Sequence, residues 1–395
     1  DEANKLWKKS FTLLERLTER EKYRPLVGYY LGPGANDDQA IENYRMLVEK
    51  YPSDGPGLNN LAVAYFRVLD FTRALEQGRK ATAVYPKSLN YRTNLALYAM
   101  YASDFTTAVT EAKVALAMSD FDKAHLPIAM AALHSGNIKE AIAEYDTMAK
   151  SSTRGASIAS MGRADVAMYQ GRFADARSEL ETGAAADEAG HLQLPRALKL
   201  IALAETAAAV NSPAEAINLA RQAIQLSASD AIAVPAARIF VAAGRIDEAR
   251  TIASNLEKQL GKRRRALSAV IKGEIALAAQ KPAEAIEALS SGRALADLWL
   301  VRYTLGRAYV EQGRHADAIA ELEACEKRIG EATDVFLDDW PTFRYTVPLK
   351  YWLGRAQEGL GSKDAAAKNY QAYIELRSTV SGDALAADAR KRISK

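Results

Sequence analysis

The residues of this 395-residue chain whose types could do covalent or metal chemistry are few and scattered. His125, His134, His191 and His315 form no HExxH and no i, i+4 pair on a helical stretch, so they read as packing or surface side chains rather than metal ligands. Cys325 is the single cysteine, which excludes an internal disulfide and a multi-cysteine zinc site. It falls where a helix wants a small apolar side chain, so it reads as a core residue rather than a nucleophile. The acid pairs Asp37-Asp38 and Asp338-Asp339 have the composition of a general acid and base, yet adjacent acids at a helix start more commonly serve its exposed amides. The run Lys262-Arg263-Arg264-Arg265 has the charge to hold a phosphate or an acidic peptide. No aromatic residue interleaves with it, which counts against single-stranded nucleic acid, and it reads as solvated charge at a helix connection. There is no GxSxG, Walker loop or GxGxxG, and Gly32-Pro33-Gly34 leads into Ala-Asn-Asp-Asp without a phosphate-binding lysine. The expectation is a chain with no catalytic residue, no cofactor and no metal.

What remains is recognition chemistry repeated at intervals. Asn60 and Asn94 stand 34 residues apart, and an asparagine amide offers both a donor and an acceptor, as a peptide backbone does. Further on, Arg238, Arg307 and Arg355 recur at one helix-face position, with Tyr303 and Tyr351 one turn before the last two. A guanidinium fork there suits a carboxylate or phosphate, although Glu205 and Glu274 at the same position in other repeats are equally suited to pair with it.

Intervals of this kind need a repeating element to hold them. Residues 55–88 read as one complete unit: Leu58, Leu61, Ala62 and Tyr65 mark the apolar stripe of a first helix, a turn follows at Leu69 and Asp70, Ala74, Gly78 and Ala81 line a second helix, and Pro86 ends it. A single helical hairpin cannot bury both of its apolar faces, so it requires like neighbours. Ala40, Ala74 and Ala108 step by 34, and Pro52 and Pro86 repeat that step. The same small position, preceded by a Gly or polar turn and an acid, recurs at Ala141, Ala176, Ala216, Ala249, Ala285, Ala318 and Ala366, with longer steps before Ala216 and Ala366. Pro213 and Pro282 fall in the first turn of their helices, where proline is tolerated.

With Gly28, Ala62 and Ala96 at the small position of the first helix and Tyr44 at the aromatic position of the second, the chain resembles a tetratricopeptide repeat (TPR) protein. The resemblance implies an all-α, right-handed superhelical solenoid of about ten TPR-like hairpins, in which first helices line a groove that takes a protein or peptide. Projected onto this sequence, the groove would be bordered by Asn59, Asn60, Val63, Phe66 and Arg67, by Thr93, Asn94, Leu97 and Tyr101, and by Arg238, Tyr303, Arg307, Tyr351 and Arg355. The expected layout is the second helix of a truncated repeat at 1–18, three regular repeats at 19–120, about six divergent ones at 121–329, an aromatic and acidic insert at 330–346, and a last repeat with a capping helix at 347–395.

Composition agrees with an array of this kind. Fifty-two Lys and Arg against 49 Asp and Glu give a formal net charge of +3, which argues for neither nucleic acid nor a membrane surface as partner. No apolar run approaches a membrane span, so direct membrane insertion is not expected. The chain opens at Asp1 without an initiator Met, within an apparent helix, and reads as a piece of a longer protein.

A closer likeness lies in LTEREKYR near the start, NNLAVAY in the second repeat and FLDDWPTFRYTVPLKYWLGRAQEGLGS near the end. These resemble the C-terminal repeat region of bacterial eukaryotic-like serine/threonine kinases. That resemblance implies a sensing or recruiting role beyond a membrane-spanning helix, in a soluble and extracytoplasmic region; it carries over no catalytic residue, because neither HRD nor DFG is present. The alternatives are a small-ligand sensor near the insert aromatics Phe336, Trp340, Phe343 and Tyr345, and a module that self-associates through its end repeats.

Overall fold

The computed structural model describes residues 9, 12–31, 36–259, 261–336, 340–377 and 383–394. Among them every regular element is a helix. First and second helices alternate ten times: α1 (Glu19–Leu31) and α2 (Asp37–Lys50), α3 (Gly55–Arg67) and α4 (Phe71–Val84), α5 (Leu89–Tyr101) and α6 (Phe105–Met118), α7 (Asp122–His134) and α8 (Ile138–Ser151), and α9 (Thr153–Gln170) and α10 (Phe173–Ala189). Then come α11 (Gln193–Ala209) and α12 (Pro213–Leu226), α13 (Asp230–Ala242) and α14 (Ile246–Glu257), α15 (Lys262–Ala278) and α16 (Pro282–Leu295), α17 (Trp299–Glu311) and α18 (His315–Lys327), and α19 (Leu349–Gly359) and α20 (Lys363–Leu376), with α21 (Ala384–Ile393) following. The chain forms two compact units, Asp1–Ile128 and Ala129–Lys395, whose boundary falls within α7.

The turn between first and second helix is nearly invariant. From α3 onward each first helix ends on a residue with φ between 59° and 78°: Leu69, Ser103, Gly136, Gly171, Asn211, Gly244, Gln280, Gly313 and Gly361. The next amide then reaches back to the carbonyl five residues earlier, as Asp104 does to Ala99 and Arg314 to Tyr309, both at 2.8 Å. In the first unit, side-chain caps start the second helices: Asn36, Asp70 and Asp104 each accept from the amide three residues on. In later repeats a guanidinium bridges this turn instead, with Arg172 on Asp175, Arg245 on Glu248 and Arg314 on Asp317.

The small residues do what their spacing requires. Ala40, Ala74 and Ala108 in the first unit, and Ala141, Ala176, Ala216, Ala249, Ala285, Ala318 and Ala366 in the second, are all at most 2% exposed. The longer step before Ala216 comes from lengthened helices, α10 and α11 having 17 residues each. That before Ala366 comes from the insert, whose described residues include 3-10 turns at Ile329–Asp334 and Arg344–Thr346, the second leading into α19.

Within the second unit the first helices α9, α11, α13, α15, α17 and α19 touch one another in sequence and form a continuous layer. The unit also meets itself end to start. Arg377, just past α20, donates to the Met168 carbonyl of α9 at 3.0 Å and lies over the Phe173 ring, while Tyr169 packs against the cluster of Val347, Tyr351, Tyr370 and Tyr373. Of the N-terminal helix expected at 1–18, residues 1–8 and 10–11 lie outside the described residues, and Leu14–Arg16 forms a 3-10 turn. Gly32-Pro33-Gly34 and Asp338-Asp339 also lie outside them.

Candidate functional site

Two surfaces collect the recognition chemistry. In the first unit, Asn94 of α5 donates its side-chain amide to Asn59 of α3 at 3.0 Å, and Asn59 donates to Asn60 at 3.1 Å. All three are partly exposed. The row therefore spans two repeats, with the Asn60 NH2 group at one end and the Asn94 carbonyl oxygen at the other outside the chain of bonds; turning all three amides over exchanges the two ends. Phe66 and Val63 border it, partly exposed. Arg67 points to the start of α2, where it pairs with Asp37 at 3.0 Å. Tyr101 is 2% exposed and packs its ring on Phe66 and Phe71, so it supports the row from the core rather than lining it.

In the second unit one register position runs through the whole layer of first helices. Asp165, Glu205, Arg238, Glu274, Arg307 and Arg355 each stand eleven residues before the buried alanine of the next helix. Arg307 donates to Glu274 at 2.8 Å and Arg238 approaches it at 3.4 Å. Burial would lift the Glu274 carboxyl, but the two guanidinium groups outweigh it and hold the group below its ordinary range. Arg355 bonds the Tyr351 hydroxyl at 3.2 Å, and that hydroxyl donates to Asp388 at 2.6 Å. Tyr303 and Tyr351 are 4% and 2% exposed: Tyr303 stacks on Trp299 with centroids 5.3 Å apart, and burial pushes its phenol up to about 12. Of the arginines expected to await a partner's anion, Arg238 and Arg307 are thus engaged by Glu274, and Arg355 by the Tyr351 hydroxyl with Glu311 at 4.0 Å.

The acids at the start of this register, Asp165 and Glu205, are met by the insert. The Thr342 hydroxyl and the Phe343 amide donate to Asp165, the latter at 2.8 Å. Arg344 donates to Asp165 at 3.1 Å and to Glu205 at 2.8 Å, and the Tyr345 hydroxyl donates to Glu205 at 2.7 Å. Arg238 lies over the Tyr345 ring, Tyr169 meets Phe343 edge-on, and Lys199 lies 5.4 Å from the centre of the Trp340 ring. At the insert's other side, Arg263 donates to the Phe336 carbonyl at 3.0 Å and pairs with Asp230 at 2.7 Å. Half of the basic run therefore opens α15 as an anchoring group, with Arg264 also on Asp230, rather than standing as loose charge in a connection.

Family models for the tetratricopeptide repeat match residues 28–54, 93–157 and 301–329. The chain carries tetratricopeptide repeats. Among solved structures it is similar to yeast Tom70 at 15% identity and a TM-score of 0.42, over 95% of this chain and 80% of that one. It is also similar to the APC/C hetero-tetramer Cut9–Hcn1 (13%, 0.40, over 98% and 91%) and to the TPR domain of P58(IPK) (14%, 0.26, over 95% and 99%). No curated protein matches. Tetratricopeptide repeats form an architecture that binds proteins or peptides.

Several features of the tetratricopeptide array carry no local signature. Asp165 is one, although the eleven-residue register to Ala176 marks it in retrospect. Another is Lys199, wholly buried in α11, which donates to Asp187 at 2.5 Å and to Ser157 at 2.9 Å; burial lowers its ammonium pKa against the pull of Asp187. Ser157 in turn donates to Asp187 at 2.7 Å, closing a triangle that ties α9, α10 and α11 together. Cys325 is buried, its Sγ 3.6 Å from the Trp299 carbonyl, and burial pushes its thiol far up, which suits packing and not nucleophilic chemistry. His125 is buried against Asp120 at 2.9 Å. Among the described residues no three His, Cys, Asp or Glu are placed to hold a metal, and no helix is long and apolar enough to cross a membrane.

Proposed function

We propose that the chain is a non-catalytic scaffold that binds a segment of a partner protein along the first helices of its first unit. The observation that carries this reading is the amide row Asn60, Asn59 and Asn94, which is linked across two repeats and leaves an NH2 group at one end and a carbonyl oxygen at the other outside the chain of bonds. A peptide backbone presents the complementary pair whatever its side chains, so the row reads main chain and leaves sequence preference to the neighbouring Val63 and Phe66, Leu97 being buried. The setting proposed is the C-terminal region of a bacterial serine/threonine kinase. It is supported by the three sequence stretches noted above, and an upstream coding sequence without HRD and DFG would remove it.

The test is affinity capture with the chain as bait, identification of the retained protein, and titration of that purified partner against the chain and its Asn60→Ala, Asn94→Ala variant. The expected outcome is a loss of at least tenfold in affinity with helicity and melting unchanged. If affinity and melting fall together, the row is a structural tie and the reading fails.

A further inference from the structure

The layer of first helices in the second unit lacks a cation at one end, and residues 340–346 bring it. Three of the six register positions are arginines, and Arg238 and Arg307 take up Glu274 between them. Asp165 and Glu205, with side chains 1% and 16% exposed, are met by Arg344, itself only 9% exposed. Two carboxylates removed from water need a cation and further donors to offset the loss of hydration. The segment provides one guanidinium, two hydroxyls and one backbone amide. These are the contacts with which a groove reads a separate peptide: a charge-assisted arginine fork, a main-chain bond, and rings seated beside it on Tyr169 and under Arg238.

We propose that this face is a receptor site for a partner's peptide bearing an arginine between aromatic residues, and that residues 340–346 occupy it until such a peptide replaces them. The site is separate from the amide row of the first unit. Charge decides the class of ligand: the acid pair selects a guanidinium, and the planar fork that meets both carboxylates favours arginine over lysine. Because the occupant is tethered to the same chain, a competitor faces a high effective concentration and must either bind more tightly or arrive as part of a larger interface.

The experiment uses the full chain and a fluorescent peptide with the sequence of residues 340–347, Trp-Pro-Thr-Phe-Arg-Tyr-Thr-Val. The Arg344→Ala variant is expected to bind this peptide at least tenfold more tightly than the unsubstituted chain. The same peptide with alanine for arginine, or the variant carrying Asp165→Asn as well, should lose that gain. A folded Arg344→Ala chain that binds no better than its parent overturns the proposal, as does a gain accompanied by dimers, which would assign the exchange to a second copy. Should the variant not fold, hydrogen exchange on the unsubstituted chain decides. Amides of residues 342–346 must exchange at least tenfold faster than those of α9 and α11 beneath them, and equal protection sinks the idea. Partner binding that depends on Asn60 and Asn94 would survive that result.

Discussion

Glu274 is the residue on which the charged register of the second unit turns, because it takes up two guanidinium groups of that register, one from the repeat on either side. Its carboxyl is held below the usual 4.5, so the folded state binds a proton less readily than the unfolded chain. The stability this supplies is fully present above about pH 4.5 and is lost as the pH falls through the native value. Glu274→Gln is therefore expected to flatten the acid limb of a melting-temperature series, and Glu274→Ala to cost on the order of 3 kcal/mol near neutrality by leaving two half-buried cations without their acid. An acid limb as steep as the parent's would mean that other carboxylates control it. The turns give a second prediction at this scale. Gln280 and Gly313 occupy the same left-handed position, at φ 59° and 77°, and a side chain at 313 would meet nothing. Gln280→Gly should stabilise and Gly313→Ala destabilise, each by about 1 kcal/mol in urea titration, because only the backbone conformation is at stake.

At the scale of the helices, approach distance is set by what faces the small residue. A Cβ on Gly162 would fall 2.2 Å from the Tyr145 ring, whereas one on Gly306 would meet Cγ and Cδ2 of the Leu322 side chain at 2.7 Å. The ring is rigid and buried; the leucine can change rotamer. Gly162→Ala is thus expected to cost about 2–3 kcal/mol by prising α8 from α9, and Gly306→Ala about 1 kcal/mol or less; equal losses would show that backbone movement absorbs both. Hairpin geometry was legible in the sequence because it is local: the alanines, the turn residue and the acid after it lie within a few positions of one another. The insert was legible only as an aromatic stretch. Its ligands Asp165 and Glu205 lie 139 to 179 residues away in the chain, a separation that leaves no periodicity to read. Lys199 was silent for a related reason, since its partners Asp187 and Ser157 come from two other helices.

At the scale of the second unit, the end-to-start contact changes how the array should unfold. An open stack of repeats can fray from either end, each repeat leaning only on its neighbours. Here Arg377 and Tyr169 tie α20 and its cluster back to α9. The unit is expected to melt as one cooperative transition, and Arg377→Ala combined with Tyr169→Ala to broaden it while costing about 1–3 kcal/mol. A transition that loses height but keeps its width would show that the contact adds stability without coupling the repeats.

The 179 residues between Asp165 and Arg344 also bear on the order in which the chain is made. A polypeptide leaves the ribosome from its N-terminus, so α9 and α11 emerge with their two acids long before the guanidinium that neutralises them. Until then the two carboxyls must stay hydrated or take up a proton to be buried, since burial already lifts Asp165 above its ordinary range. The same separation makes the late segment a test of the early repeats: in a chain ended before residue 344, α9 and α11 are expected to keep their helices but exchange their amides faster around Asp165 and Glu205.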